Sequence, residues 1–403
     1  MSKKILVAID IGTSSIKLLV GEKESDSSSL KIIAKEEVSH LEGVRKGEIY
    51  DSRKVAEKIT LVKKRAEKTL GKKIKKALVN LGGPHTYVME SRGVVSVSRA
   101  DQKISGEDIE RVLQNARAVS LPSNKDILEV IPQEFIVDGE SVLKEPLGLE
   151  GTRLEVKSLL VYIFSPVLEK LKEAFLESDI EIERIVPSPL ASAKAVLTSE
   201  KKELGTAVLD IGAGTTSLAV FSKGKLIKFS IFPAGAANIT NDIAIGLRAE
   251  IRTAENIKKE FGYLGLSKSK KGKKKVEIAE KNISFSRSFL KDIINVRVSE
   301  IFSETKKELK KISKNDILPG GVVLTGGGSL LPGIVDFAKK KFELPSIASG
   351  PKGIANLEDP RFSVSAGLLL FGFNSPKNSG RSRSGALNWL LEKIKNLIRI
   401  FLP

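Results

Sequence analysis

Residues Thr206 to Phe221, TAVLDIGAGTTSLAVF, read as two short apolar runs joined by a turn of small residues. Ala207, Val208 and Leu209 lead to an acid, Asp210, and Ile211 follows it. Gly212, Ala213 and Gly214 make the turn, Thr215 and Thr216 add hydroxyls, and Leu218 to Phe221 form the second run. A β-hairpin is the simplest structure for this pattern. Without Cβ atoms the turn brings backbone N–H groups close to an anion. A carboxylate at the mouth of such a turn repels phosphate unless a cation lies between them. The combination predicts a site for a nucleotide with Mg²⁺.

The pattern recurs near the N-terminus, where Lys4 to Val20 read KILVAIDIGTSSIKLLV. Asp10, Ile11 and Gly12 stand in the places of Asp210, Ile211 and Gly212, and Thr13, Ser14 and Ser15 supply hydroxyls. A third turn follows the apolar run Val322 to Thr325: Gly326, Gly327 and Gly328. Each turn alone is weak evidence, because Asp-Ile-Gly in a hairpin is commonly structural. Together they describe two related halves clasping one nucleotide, with the triple glycine beside the nucleoside. This arrangement resembles the actin-like ATPase superfamily.

A chain of 403 residues is too long for one simple core, so two or more lobes are expected. Hydrophobic residues at 41% and charged residues at 29% fit a soluble globular protein. The absence of cysteine excludes disulfides and thiolate metal sites. With only His40 and His85, a histidine-based centre is disfavoured, and His85, after Gly82-Gly83-Pro84, reads as a turn residue. MSKKILVAID is no signal peptide, and no apolar stretch reaches the ~20 residues needed to span a bilayer, so a cytoplasmic protein is expected. A net charge of +18 favours a polyanionic partner, nucleic acid or an anionic membrane face. Aromatics at 5% and the lack of any nucleic-acid motif argue against the first. The run Lys268 to Lys275 reads as a solvated loop, or as one that attracts phosphate or lipid.

Periodicity predicts a strand over Leu30 to Val38, a helix over Asp51 to Leu70 capped by Asp51 or Ser52, and a strand over Lys76 to Leu81. Gly93 to Ser98 reads as a strand, and Ser105 to Val119 as a helix whose Ser105 and Asp108 resemble a capping box. Strands over Ile127 to Val137 and Leu154 to Phe164 complete a candidate independent subdomain. Helices are expected over Pro166 to Ser178, Ile185 to Leu197, Asn238 to Leu247 and Thr253 to Phe261. A long helix is expected over Phe285 to Ile312, with Phe289, Ile293, Val296 and Ile301 inward.

The segments VIPQEFIVDG (Val130 to Gly139) and KEPLGLEGTRLEVK (Lys144 to Lys157) resemble the inserted subdomain of the bacterial cell-division FtsA family. The likeness continues through the Asp210 hairpin, Pro233 to Gly262 and Val322 to Ile334, so it spans essentially residues 1–373 and resumes at the C-terminal end. It implies an α/β, actin-like two-lobed fold of duplicated ribonuclease-H-like domains with an FtsA-type inserted subdomain and a C-terminal amphipathic helix. The expected division is first lobe 1–83, inserted subdomain 84–158, first lobe again 159–203, second-lobe core 204–245, its smaller subdomain 246–319, second-lobe core again 320–354 and a return to the first lobe over 355–373. A flexible linker, 374–384, and a membrane-targeting helix, 385–403, follow.

Asp10 and Asp210 are the candidates for Mg²⁺, and the backbones of Gly12, Thr13, Ser14 and Ser15 and of Gly212, Ala213, Gly214, Thr215 and Thr216 for the β- and γ-phosphates. Lys17 either neutralises phosphate or is a solvent-facing strand lysine. Glu255 and Lys258 lie on one helix face; the resemblance implies that they flank the ribose and base. Gly326, Gly327, Gly328 and Ser329 are expected to border the adenosine of ATP. Several actin-like ATPases place an acid before a Pro-x-Ala turn to orient the attacking water. Here Ser188 precedes Pro189-Leu190-Ala191, so slow or weak hydrolysis is expected.

The stretch NSPKNSGRSRSG, Asn374 to Gly385, has no apolar side chain and reads as a flexible linker. In the run after it, Leu387, Leu390, Leu391, Ile394, Leu397, Ile398 and Phe401 fall within an arc of roughly 120°, with Trp389 beside it. That stripe either packs on the protein's own core or lies in an anionic membrane interface; the polar linker favours the second. The resemblance implies self-association into filaments, and attachment at the cytoplasmic side of the inner membrane at the division septum. It also implies that the C-terminal tail of the tubulin-like protein FtsZ docks near Arg297 and Glu300. An actin-like inner-membrane component of a type IV pilus machine, a metabolic kinase of the superfamily and a membrane adaptor that binds no nucleotide remain open at this point.

Overall fold

A computed structural model describes residues 3–24, 30–39, 42–142, 145–265, 275–278, 283–312 and 318–373. The first lobe opens with β1 (Lys3–Ile11), β2 (Ser15–Glu24) and β3 (Leu30–Ser39), an antiparallel meander. A small hairpin, β4 (Val44–Arg45) and β5 (Glu48–Ile49), leads to α1 (Ser52–Leu70) and β6 (Lys76–Leu81). Asp51 caps α1, its carboxylate accepting from the Lys54 N–H at 3.2 Å.

The inserted segment follows as β7 (Thr86–Ser96), α2 (Gly106–Arg117), β8 (Lys125–Val137), β9 (Glu140–Val142) and β10 (Arg153–Phe164). Its strands form their own sheet in the order β7-β10-β8-β9, and α2 buries Ile109, Val112 and Ala116 against it. The capping box is present, with Asp108 and Ser105 each bonding the other's backbone N–H. The chain then returns through α3 (Ser165–Glu177), β11 (Glu181–Pro187), α4 (Ser188–Val196) and α5 (Ser199–Glu203).

The second lobe repeats the opening with β12 (Thr206–Ile211), β13 (Thr216–Ser222) and β14 (Lys225–Phe232). Helices α6 (Ala236–Leu247) and α7 (Ile251–Phe261), a hairpin of β15 (Lys275–Ile278) and β16 (Ile283–Ser286), and α8 (Arg287–Lys310) come next. Then follow β17 (Val322–Thr325), a 3₁₀ turn over Gly327–Leu330, α9 (Ile334–Phe342) and β18 (Ser346–Ala348). The chain crosses back through β19 (Ile354–Ala355), which pairs with β3, and ends its described part in α10 (Ser363–Phe373).

The two main sheets run β11-β6-β1-β2-β3-β19 and β14-β13-β12-β17-β18. In both, a hairpin whose first strand ends in Asp-Ile lies antiparallel, and the next strand inward is parallel to that first strand. The halves are therefore built alike. Helices α4 and α10 lie between the sheets: Leu190, Ala191, Leu368 and Leu369 share one core with Leu78 of the first lobe and Val208, Ala219 and Val323 of the second. Separate cores cover the outer faces, under α1 and α3 in one lobe and α6 to α9 in the other.

Two expectations need correction. The helix expected over 185–197 begins only at Ser188, because Ile185 to Pro187 pair with β6 as the end of β11. A strand that short, with an isolated apolar run, is not separable from a helix by period. The inner face of α8 is also different. Leu290, Ile294, Val298, Ile301 and Phe302 are buried, whereas Phe289 is 47% and Val296 62% exposed. The helix carries two apolar stripes, and only one meets the core.

Candidate nucleotide-binding cleft

The two Asp-Ile-Gly turns meet face to face. A Cβ on Gly214 would lie 2.5 Å from Thr13 Oγ1, so the turns touch only because that position has no side chain. Each turn is closed by its own backbone: the Gly12 N–H donates to the Ser15 carbonyl at 3.1 Å, the Gly212 N–H to the Thr215 carbonyl at 2.9 Å. Asp10 and Asp210, at the strand ends, are both buried. The third glycine turn closes on Asp210, since a Cβ on Gly326, whose φ is +79°, would lie 2.2 Å from Asp210 Oδ1.

Burial pushes the Asp10 carboxyl above the usual carboxylate range, and Lys17, with Nζ 3.5 Å from Asp10 Oδ2, opposes that. Asp210 is pushed up to about 7, first by burial and then by the charge of Asp10. Lys17 thus points at the cleft rather than at solvent, its side chain 11% exposed. Two buried carboxylates that disfavour each other's charge fit a divalent cation. Among the described residues no group of three or more His, Cys, Asp or Glu is placed to cage a metal. An open pair of this kind suits Mg²⁺, which keeps waters and phosphate oxygens among its ligands.

Not every expected hydroxyl faces the cleft. Ser15 Oγ donates to Glu37 at 2.8 Å and Thr216 Oγ1 to the Ala234 carbonyl at 2.8 Å, and both residues are buried. Thr13 Oγ1 accepts from the Gly47 N–H at 2.9 Å, which pins the β4–β5 hairpin to the first turn. Ser14 is exposed, and Ala213 and Thr215 are half-buried.

Glu255 and Lys258 on α7 pair at 2.6 Å. Thr240 of α6 joins them, its hydroxyl 2.5 Å from Glu255 and 2.8 Å from Lys258 Nζ, which also donates to the Ala236 carbonyl at 3.0 Å. The N–H groups of Ala236 and Ala237 donate to the carbonyls of Gly212 and Ala213, so this cluster is tied to the second turn. Burial draws the Lys258 ammonium below its ordinary value, and Glu255 supports its charge. Gly328 packs on Ile211, and Ser329 Oγ donates to the Gly326 carbonyl at 2.7 Å.

Sequence reasoning missed several groups here. Asn80 accepts from the Ile11 N–H at 2.7 Å and donates to Ser188 Oγ at 3.0 Å. Ser192, whose hydroxyl donates to the Pro189 carbonyl at 3.4 Å, favours the charged form of Asp210. These partners come from strands and helices far along the chain, so no local spacing marks them. Arg297 and Glu300 lie outside this cleft, on α8. Arg297 makes a two-pronged pair with Asp242 of α6, at 2.7 and 2.9 Å, and a bond to Glu300 at 2.6 Å, beside exposed Ile245, Phe289 and Val296. Residues 374–403, with the expected linker and amphipathic stripe, lie outside the described residues, as do 268–274 of the lysine-rich run.

The family model "Cell division protein FtsA" matches residues 207–367, and "SHS2 domain inserted in FTSA" matches residues 83–162. Cell division protein FtsA of Bacillus subtilis (strain 168) is 35% identical over 387 residues, covering 94% of this chain and 86% of that one. The chain belongs to the FtsA family. A second FtsA, from Pseudomonas aeruginosa, is 31% identical over 391 residues, with 95% and 92% of the two chains covered. As an FtsA it is an actin-like cell-division protein. The backbone is also similar to two solved structures. One is a PilM-PilN type IV pilus biogenesis complex, with TM-score 0.65, 18% identity and 91% and 98% of the chains covered. The other is MreB5 of Spiroplasma citri bound to ADP, with TM-score 0.55, 16% identity and 91% and 96% covered. At such identity the likeness is one of fold alone, so the pilus reading gains nothing from it. Among its described residues, this FtsA has no helix long and apolar enough to cross a membrane.

Proposed function

We propose that this FtsA binds ATP with Mg²⁺ between its lobes, self-associates at the cytoplasmic face of the inner membrane, and tethers FtsZ there during septum formation. The observation that carries the nucleotide part is the buried pair of Asp10 and Asp210, facing each other from two glycine turns with Lys17 beside them. Asp10 and Asp210 would hold the metal, largely through its waters. The backbones of Gly12 to Ser14 and Gly212 to Thr215 would take the phosphates, and Glu255, Lys258 and Gly326 to Ser329 the nucleoside. The metal, when bound, would neutralise charge between the carboxylates and the phosphates.

Hydrolysis is slow in this reading. Ser188, where several actin-like ATPases carry an acid, accepts from Asn80 and offers no base to polarise water. ATP then acts mainly by holding the lobes together. The amphipathic run 385–403 is the membrane anchor, and the Arg297–Asp242–Glu300 cluster with its exposed apolar neighbours is the docking place for the FtsZ tail. Self-association is supported by the actin-like fold; a double helical filament of MamK is among the similar solved structures, with TM-score 0.55.

Titration calorimetry with MgATP tests the centre of the reading. Micromolar uptake that Asp210→Ala abolishes is expected. No heat on MgATP addition, or full uptake by Asp210→Ala, overturns it.

A further inference from the structure

The edge of the first sheet that carries Asp10 and the glycine turn has an opposite edge, where β1 and β3 start and β2 ends. β6 also starts there, and α1 ends there. This far edge is rich in lysine. Its acids have partners there: Glu67 pairs with Lys73 at 3.0 Å, Glu181 with Lys76 at 2.8 Å, and Glu22 and Glu24 share Lys3, at 3.0 and 3.6 Å. Lys31, Lys68, Lys72 and Lys75 are exposed and make no ion pair among the described residues.

The described chain ends on this same edge. Phe373, the last residue of α10, approaches Gly21 of β2, and Lys4 Nζ donates to the Gly372 carbonyl at 2.8 Å and lies 5.6 Å from the Phe373 ring centroid. Residues 374–384 add Lys377, Arg381 and Arg383, with no acid among them. A segment of that length spans at most about 40 Å. An anchor at 385–403 therefore holds the lysine edge nearer to the lipid than the cleft, which lies about one strand length farther along β1. Headgroup charge is felt only within about 8 Å at physiological salt, so these lysines contribute when the edge lies against the bilayer.

We infer that the lysine edge of the first lobe is a second membrane contact, docking on anionic lipid headgroups and setting the orientation of the molecule, with the nucleotide cleft facing away from the bilayer. This rests on the reading of residues 385–403 as the anchor. The occupant is a lipid surface rather than soluble acid, because the tether delivers the edge to the membrane.

Co-sedimentation of the full chain with phosphatidylcholine vesicles, with and without phosphatidylglycerol, tests it, at protein concentrations where light scattering shows no self-assembly. The triple variant Lys68→Glu, Lys72→Glu, Lys75→Glu is expected to lose about tenfold or more in affinity for anionic vesicles at low salt. Its binding to neutral vesicles and its melting temperature stay those of the parent. A control reversing three second-lobe lysines, Lys291, Lys310 and Lys340, keeps the parent's affinity. Equal affinity of the edge variant, or an equal loss in the control, overturns the inference and leaves the anchor standing. Failure of the parent to bind any vesicle removes the anchor and this inference together.

Discussion

Asp210 is better placed for a ligand than for the empty protein. Its carboxylate is buried next to Asp10, and neither burial nor that neighbour favours its charge. Asp210→Asn should therefore raise the melting temperature of the nucleotide-free protein at pH 8 by about 2–4 °C, while abolishing the further rise that MgATP gives the parent; differential scanning calorimetry reads both. Gly214 makes a steric version of the same point. A side chain there meets Thr13, so Gly214→Val is expected to force the turns apart and weaken MgATP binding at least about tenfold, roughly 1.4 kcal/mol, with little effect on far-ultraviolet circular dichroism. Asp108, in the inserted segment, shows the opposite sign. Burial alone would raise its pKa, but the Ser105 hydroxyl and N–H, the Arg111 guanidinium and the Ser98 hydroxyl hold it well below the usual carboxylate range. Its folded pKa lies under its unfolded one. Asp108 therefore contributes stability that is present above the unfolded value near 3.8 and is lost as pH falls toward the folded one. Asp108→Ala is expected to cost about 2–4 kcal/mol at pH 7, and the gap from the parent in urea unfolding should shrink steadily below about pH 4.

Among the elements, α8 separates what a sequence can show from what it cannot. Its two apolar stripes are equivalent on paper, and only packing chooses between them. Phe289→Ser and Val296→Ser should each change stability by less than about 1 kcal/mol, whereas Ile294→Ala, in the buried stripe, should cost about 2–4 kcal/mol; chemical denaturation distinguishes them. The same two exposed substitutions should weaken binding of an FtsZ tail peptide at the proposed docking place, because Val296 precedes Arg297 on α8 and Phe289 lies by Gly246 of α6, the helix that carries Asp242. The hairpins β1–β2 and β12–β13, by contrast, were legible from composition: an apolar run, an acid and a small-residue turn leave few alternatives. So were α1 and α2, whose capping residues mark their starts. β11 was not, since Pro187 ends a strand and Pro189 opens a helix within three residues. In the cleft, Asp10, Asp210 and the glycines announce themselves by repetition. Asn80, Thr240 and Ser192 do not, because each becomes a site residue only when a distant element is laid beside it.

For the whole molecule the decisive feature is that two like halves share α4 and α10 as a common layer. A ligand that bridges the Asp10 and Asp210 turns therefore ties the halves together at the cleft, while the shared layer joins them behind it. The described body contains every group proposed for the nucleotide and for the FtsZ tail, whereas Phe373, after which the proposed linker follows, packs by Lys4 and Gly21 at the far end of the first sheet. The proposed lipid anchor and the proposed ligand sites are thus expected to be separable by a single cut. A chain lacking residues 385–403 should lose sedimentation with anionic vesicles, yet take up MgATP and the FtsZ tail peptide with affinities within about twofold, or ~0.4 kcal/mol, of the full chain. Calorimetry and vesicle sedimentation on the same preparation give all three numbers. Unchanged vesicle binding by the shortened chain would mean that the fold itself holds the membrane and the terminal run does not. Lost MgATP binding would mean that the terminal run packs on the lobes, as a core-docked stripe would.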